Sequence, residues 1–307
     1  MSFSFAFGMG KASLMASAMN KICLIPFLTL LLMQGALAQV SISLQLDRRQ
    51  YLEFEPVTAV VTITNRSGRE LTFTSRLEGT IAHSWLDFSM RDSSGRPVTK
   101  LHHKVFQRAV IPAGRSVSRP VDLSGMFSIG RTDNYSVTAQ VRQPGIDETA
   151  YGSNSGHFTV GGGSILHQSP FGVPDSPATK REYRVVGFND GRRTSLYVQV
   201  MNLSTGRPIA TNRLSEYLTF VKPQIALDGM NQLHTLYLGN PEIYVETTVN
   251  GDGQLISTKY YKRAGGRQPR FVPFSDGKVV VSGAIPYDPQ VEAANAPKAR
   301  RASERPE

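Results

Sequence analysis

A few short constellations in this chain carry the residue types that do chemistry. Asn250-Gly251-Asp252-Gly253 alternates side-chain oxygens with glycines, the spacing that lets oxygens converge on a hard cation such as calcium. No acidic residue follows at the closing position, so a tight hairpin turn is the stronger reading of the same four residues. His102-His103 and His83 offer imidazoles, but adjacent side chains on a strand point to opposite faces, so the pair itself does not chelate from regular β structure. His234 lies in an apolar alternating run and reads as a hydrogen-bonded, partly buried imidazole rather than a ligand or base. The chain has one cysteine, Cys23, and shows no serine elbow, no His-Glu-x-x-His helix and no phosphate-cradling glycine loop. On these grounds no catalytic, cofactor-binding or metal-ligating residue is assigned, no cofactor is expected, and the chain reads as a non-enzymatic protein.

The elements that must carry such residues begin with an export signal over residues 1–38. Lys21 precedes an apolar run from Ile22 to Met33, and Gln34-Gly35-Ala36-Leu37-Ala38 supplies small residues where a signal peptidase reads, which predicts cleavage after Ala38. That run is too short to cross a hydrocarbon core as a stable helix. A start at Met19 would give a more ordinary signal than Met1 does. Cys23 lies at the beginning of the apolar run, whereas a lipid-bearing cysteine would follow its end, so the processed chain is expected to lack a thiol and any disulfide. A disulfide-free exported chain points to a bacterial periplasmic or secreted protein held together by burial alone.

The full chain has 307 residues and a formal charge of +10, which falls to +8 once Lys11 and Lys21 leave with the signal. Arginines sit in turns, as in Ser67-Gly68-Arg69, Gly95-Arg96 and Gly114-Arg115, and are not gathered on one aromatic-studded element, so a nucleic-acid partner is not expected.

From Ser41 the chain alternates apolar and polar residues through Ile42, Leu44 and Leu46, then again through Val57, Ala59, Val61 and Ile63, the period of half-buried strands. Further runs at Leu71–Phe73, Trp85–Met90, Lys104–Val110, Arg119–Leu123, Tyr135–Val141 and His157–Val160 predict a sandwich over residues 39–160. Tyr51-Leu52-Glu53-Phe54-Glu55-Pro56-Val57, followed by Val61 to Gly68, resembles the opening of bacterial immunoglobulin-like domains of the macroglobulin and proteinase-inhibitor type. Ile111-Pro112-Ala113-Gly114 resembles the turn before the penultimate strands. Asp133-Asn134-Tyr135-Ser136-Val137 resembles a tyrosine corner, with Val137 where antibody domains carry cysteine, and Trp85 is the candidate core tryptophan. The resemblance implies an immunoglobulin-like sandwich and, as an alternative function, inhibition of a protease through an exposed loop. The Asn-x-Ser sequons at Asn65, Asn134 and Asn202 are of a kind that arises by chance.

Gly161-Gly162-Gly163 and the prolines through Pro177 predict a reorientable linker over 161–179. Residues 180–288 then read as a second β domain with strands at Tyr183–Phe188, Ser195–Met201, Tyr217–Val221, Gln224–Leu227, Leu233–Leu238, Ile243–Val249, Leu255–Tyr261 and Lys278–Ala284. Tyr197, Val198, Gly206 and Ile209 repeat about 47 residues on as Tyr244, Val245, Gly253 and Ile256, and Asp228-Gly229 recurs as Asp276-Gly277. These two copies resemble propeller blades. Two blades cannot close a propeller, so an open sheet pair, a second sandwich or a fragment completed by association is expected. The Ala-, Pro- and charge-rich stretch 289–307 is expected to be a disordered tail. The expected whole is an exported all-β binding or structural module of the cell surface or periplasm. It would meet a protein or polysaccharide through loops and strand edges and keep no transmembrane segment after processing.

Overall fold

The chain is described as a computed structural model covering residues 39–78, 81–142, 150–173 and 176–295. The expected signal peptide, 1–38, and residues 296–307 of the expected tail lie outside the described residues. No helix among the described residues is long and apolar enough to cross a membrane.

Alternation does produce the first sandwich. Its strands are β1 Val40–Leu46, β2 Gln50–Leu52, β3 Thr58–Asn65, β4 Leu71–Phe73, β5 Arg76–Glu78, β6 Ile81–His83, β7 Leu86–Arg91, β8 Ala109–Ile111, β9 Ser116–Asp122, β10 Asp133–Val141, β11 Tyr151–Gly152 and β12 Gly156–Gly161. One layer has β3 between β1 and β9. The other has β10 between β7 and β12, and beyond β12 lies β2, paired in parallel. The chain therefore changes layers between β1 and β2, and an immunoglobulin-like β-sandwich results. Every second residue of β10, from Tyr135 to Val141, is buried against Ile42, Val61, Ile63 and Phe88 in one apolar core. Trp85 stacks at a tilt on Phe73, faces Phe106 edge-on, and donates its indole N–H to the Gln107 carbonyl at 3.0 Å. The Tyr135 hydroxyl donates to the Arg131 carbonyl at 2.9 Å and ties down the approach to β10 in the manner of a tyrosine corner.

The second half contains two antiparallel meanders. β13 Ser164–Val173, β14 Ser176–Asn189, β15 Thr194–Asn202 and β16 Arg207–Glu216 form a four-stranded sheet in that order. β17 Gln224–Leu227, β18 Leu233–Leu238, β19 Ile243–Val249 and β20 Leu255–Arg263 form the next, with β23 Ala284–Tyr287 added beside β20. Tyr183, Val185, Leu196, Val198 and Val200 of the first meander share a core with Leu233, Tyr237, Val245 and Val249 of the second, so the meanders stack face to face. The hairpin β21 Arg270–Pro273 and β22 Val279–Ser282 covers the far side of the second meander, where Phe271 and Val281 pack on Leu236, Leu238 and Tyr244. The two copies of the repeat are thus the third and fourth strands of successive meanders with the hairpin that follows each. Short α1, Pro289–Asn295, ends the described chain.

Several expectations are corrected here. The segment 161–179 is not a free linker, because β13 and the start of β14 occupy most of it and pair along nearly their whole length. Pro170 is tolerated because β13 is an edge strand, and Gly163 serves close packing. A Cβ on Gly163 would stand 2.3 Å from Val186 Cγ1 and 2.9 Å from Leu52 Cδ1, the point where the two halves touch. The tail does not begin disordered at 289, since residues Pro289–Asn295 are helical. Arg207–Glu216 is a full strand that its polar sequence concealed, whereas Tyr217–Val221 is turn and irregular chain. Lys104–Val110 is mostly irregular, anchored in the core by Phe106, and strand resumes only at Ala109, which is also buried there. The run at Lys278–Ala284 is split into β22 and β23 by Gly283, whose φ of 75 redirects the chain.

The halves are joined by a buried polar knot. Glu55, 4% exposed, accepts from Arg48 Nη2 at 2.7 Å, from the Leu52 N–H at 3.0 Å and from the Tyr197 hydroxyl at 3.1 Å. Arg48 also donates to Tyr197 and stacks on Tyr51, whose hydroxyl bonds Asp47. Burial opposes the Arg48 charge, yet the bond and attraction to Glu55 outweigh it and raise the guanidinium pKa. Gln199 Nε2 donates to the Glu53 carbonyl at 3.0 Å, and Leu52, Val186, Phe188 and Tyr197 make an apolar cluster beside the knot.

Candidate functional site

A cleft of about 620 Å³ lies between the two meanders, open along the free edge of β16. It exists because the facing sheets differ in width: four strands on one side, five on the other. Cross-strand partners share a face, so the register places Val245, Tyr260 and Tyr287 in one inward row and Ile243, Lys262 and Ile285 in the next. Val245 and Ile243 are covered by the opposing sheet, whereas Ile285, out on β23, is 55% exposed. The floor is therefore apolar and aromatic apart from Lys262, which pairs with Glu292. The rim is polar: Arg213, Ser215 and Glu216 come from β16, and Asn240 comes from the β18–β19 turn.

Charges around the cleft are unevenly matched. Glu216 pairs with Arg193 at 2.5 Å and Glu292 with Lys262 at 3.1 Å, and the Lys262 ammonium also lies 4.5 Å from the centre of the Tyr287 ring. Arg213 donates from Nε and Nη2 to Ser195 Oγ, at 3.2 and 2.9 Å, and makes no ion pair with a carboxylate among the described residues, although its charge helps to hold the Asp190 carboxyl below its usual range. Deeper in, the Ser215 and Tyr237 hydroxyls lie 2.8 Å apart, and burial pushes Tyr237 up to about 12, so both stay neutral donors at ordinary pH.

A second polar cluster lies on the opposite face of the five-stranded sheet, under the β21–β22 hairpin. His234 of β18 places Nδ1 3.3 Å from Glu246 Oε1 and 3.3 Å from Thr248 Oγ1, and Nε2 3.3 Å from Asp228 Oδ2. Tyr261 donates to Glu246 Oε2 at 2.8 Å, Ser257 donates to Thr248 Oγ1 at 3.1 Å, and the Phe271 ring approaches the imidazole edge-on. The bond to Glu246 raises the His234 pKa above its ordinary value against the opposing effect of burial, and Asp228 adds to the rise. For Glu246, burial acts to raise the pKa, but the bonds from His234 and Tyr261 outweigh it and leave the carboxyl below its usual range. Thr248–His234–Asp228 has the connectivity of a hydroxyl–imidazole–carboxylate relay. Thr248 and Glu246 are nevertheless buried, at 4% and 3% exposed, so no substrate reaches the hydroxyl. Asp228 and Glu246 also approach opposite ring nitrogens, which leaves no common point for a cation. The cluster ties β18, β19, β20 and the β17–β18 turn together on that face, and the hairpin meets it through the Phe271 ring.

The other residues singled out in the sequence do not converge. Asn250-Gly251-Asp252-Gly253 is the β19–β20 hairpin turn, in which Asn250 Oδ1 accepts the N–H groups of Asp252 and Gln254 and Asp252 pairs with Arg181 at 2.6 Å. Its carboxylate is engaged across the meanders rather than turned to a cation. His102 and His103 are exposed on an irregular segment, and His83 ends β6. Asn65 is fully buried and bonds Arg69, Ile111 and Ser67 through both ends of its amide, so this sequon is inaccessible in the folded chain. The cleft itself escaped sequence reading. Its one sequence signal is the repeat, which implies stacked sheets but not their unequal widths.

No family model and no curated protein matches this chain. Among solved structures it is similar to the Salmonella enterica SafA pilin in complex with the SafB chaperone (Type I), with 14% identity, 72% of this chain and 96% of that chain covered, and a TM-score of 0.23. An overlay that loose carries no weight here, and the immunoglobulin-like sandwich rests on its own strand pairing.

Proposed function

We propose that this chain is an exported, non-enzymatic binding module of the cell surface or periplasm that takes hold of a macromolecular partner along a strand edge. The observation that carries this reading is the cleft beside β16, where unpaired backbone groups border an apolar, tyrosine-floored trough. The polar cluster with the connectivity of a catalytic relay is sealed beneath a hairpin, whereas the open site offers contact surface and hydrogen-bond donors rather than a nucleophile and base. The knot at Glu55 supports the same reading, because it fixes the immunoglobulin-like sandwich to the meanders and presents them as one stiff support.

Two measurements test it. N-terminal sequencing of the processed protein from the cell envelope or medium is expected to begin at Gln39, and a product retained whole in the cytoplasm overturns the export half. A photoreactive side chain at Ile285 in the producing cells is expected to give discrete adducts that one at exposed Val110 of the first sandwich does not. Identical patterns from both positions overturn recognition at the cleft.

A further inference from the structure

We infer that the cleft receives one extended peptide segment of a partner protein, added as a fifth strand beside β16, with apolar residues facing Tyr260 and Tyr287 and acidic residues alternating with them. The inference rests on the binding reading above and narrows it to a partner chemistry.

The width of the vacancy is the first support. Opposite β23 the four-stranded sheet has no strand, and β16 ends that sheet with a free row of N–H and C=O groups. A strand set there would restore five against five and cover Ile285, an apolar side chain on the inward face. The inward rows lie along β20 and β23 at every second residue, and this matches the two-residue period of an extended peptide.

Charge selects the occupant's composition. The carboxylates near the cleft, Glu216 and Glu292, already pair with Arg193 and Lys262. Arg213, on the outward face of β16 opposite Tyr197, bonds Ser195 and makes no ion pair with a carboxylate among the described residues. An acidic residue on the outward face of the added strand would supply one, and cross-strand opposite charges are favourable on a sheet. A second copy of this chain is disfavoured as the occupant, because β16 itself carries two arginines and a single glutamate already paired with Arg193, and both copies carry a net charge of +10 before processing.

The probe is a capped seven-residue peptide alternating glutamate with valine, with a lysine/valine peptide of the same length as control, added to the intact processed protein. The expected result is saturable binding of the acidic peptide, slowed amide exchange within 207–216 and 284–287, and about tenfold or weaker binding of the basic peptide. Arg213→Glu is expected to invert that preference. Because Arg213 also bonds Ser195, Tyr287→Lys, which obstructs the floor on β23, serves as a second variant and is expected to abolish protection in 207–216. Indifference to peptide charge, protection elsewhere on the molecule, or no saturation by millimolar peptide overturns the inference. So does protection of the same amides by neutral oligosaccharide in place of peptide. Adducts from Ile285 that contain only polysaccharide would leave the binding reading standing and remove the strand.

Discussion

Replacement of Glu55 by alanine is expected to uncouple the two halves of the molecule. The carboxylate is the shared acceptor for Arg48, the Leu52 N–H and the Tyr197 hydroxyl, and its side chain is 3% exposed. Removing one partner of a buried ion pair costs about 3–5 kcal/mol, because the other charge stays behind unpaired. The Arg48 side chain keeps 23% exposure, so water reaches the stranded guanidinium and the lower part of that range applies to the pair. The orphaned Leu52 N–H and Tyr197 hydroxyl bring the expected loss to about 4 kcal/mol. Glu55→Gln keeps the shape and an acceptor and should lose about 2 kcal/mol, and Tyr197→Phe, which removes one neutral donor, about 1 kcal/mol. The only tryptophan, Trp85, lies in the core of the first sandwich, so its fluorescence reports that half alone, whereas far-ultraviolet circular dichroism reports both. In urea the two signals should coincide for the native chain and separate for Glu55→Ala. Coincident curves for Glu55→Ala, with a loss below about 1 kcal/mol, would refute the view that this knot joins the halves.

Three further outcomes follow from the same contacts. The folded-state pKa of His234 is raised, so its contribution to stability is fully present below the ordinary histidine value and is lost as pH rises through the raised one; urea midpoints from about pH 5 to 9 should fall across that window and flatten in His234→Gln, which keeps a donor but does not titrate. Gly163→Ala forces a methyl into Val186 and Leu52 and should cost about 1–3 kcal/mol by denaturant titration, whereas the same change at Gly162, where no atom lies within 4 Å, should be nearly neutral. Asn65→Ala strands the carbonyls of Arg69 and Ile111 and should cost about 2 kcal/mol, which the midpoint of the Trp85 fluorescence transition would register.

What the sequence revealed, and what it hid, divides along a physical line. Alternation marked β3, β7 and β10 because each has one face in a core and the other toward solvent or polar groups. Tyr135 and Trp85 were legible because a tyrosine corner and a core indole have local chemical requirements. β16 was hidden because its burial is intermediate along nearly its whole length, as befits an edge strand over a half-filled trough, and so its composition is free to be polar. The supposed linker was misread because glycine and proline signal both loose chain and close or edge packing, and only the neighbours Val186 and Leu52 tell the two apart. His234 reads as a hydrogen-bonded imidazole in the sequence, but its partners Asp228, Glu246 and Thr248 come from a turn and a neighbouring strand that only the register brings together.

The repeat explains why the cleft is where it is. β15 and β19, the third strands of their meanders, are buried on both faces, the condition expected when each unit is covered by its neighbours. Continuing that pattern, β21 and β22 stand where a third meander would begin, on the outer face of the second. Its third and fourth strands are absent among the described residues. Gly283 turns the chain back, and β23 joins the edge of the second meander instead, pairing Tyr287 with Tyr260. The half-unit is then fastened to the second meander by the Gln224 side chain, which bonds the Pro269 carbonyl and the Phe271 N–H, and by Phe271 and Val281 in the apolar cluster there, while the borrowed strand makes the second sheet one wider than the first. The trough beside β16 is therefore a direct result of ending the repeat after two and a half units. An added hairpin that continued the third meander and drew β23 away from β20 would remove the trough without touching β16.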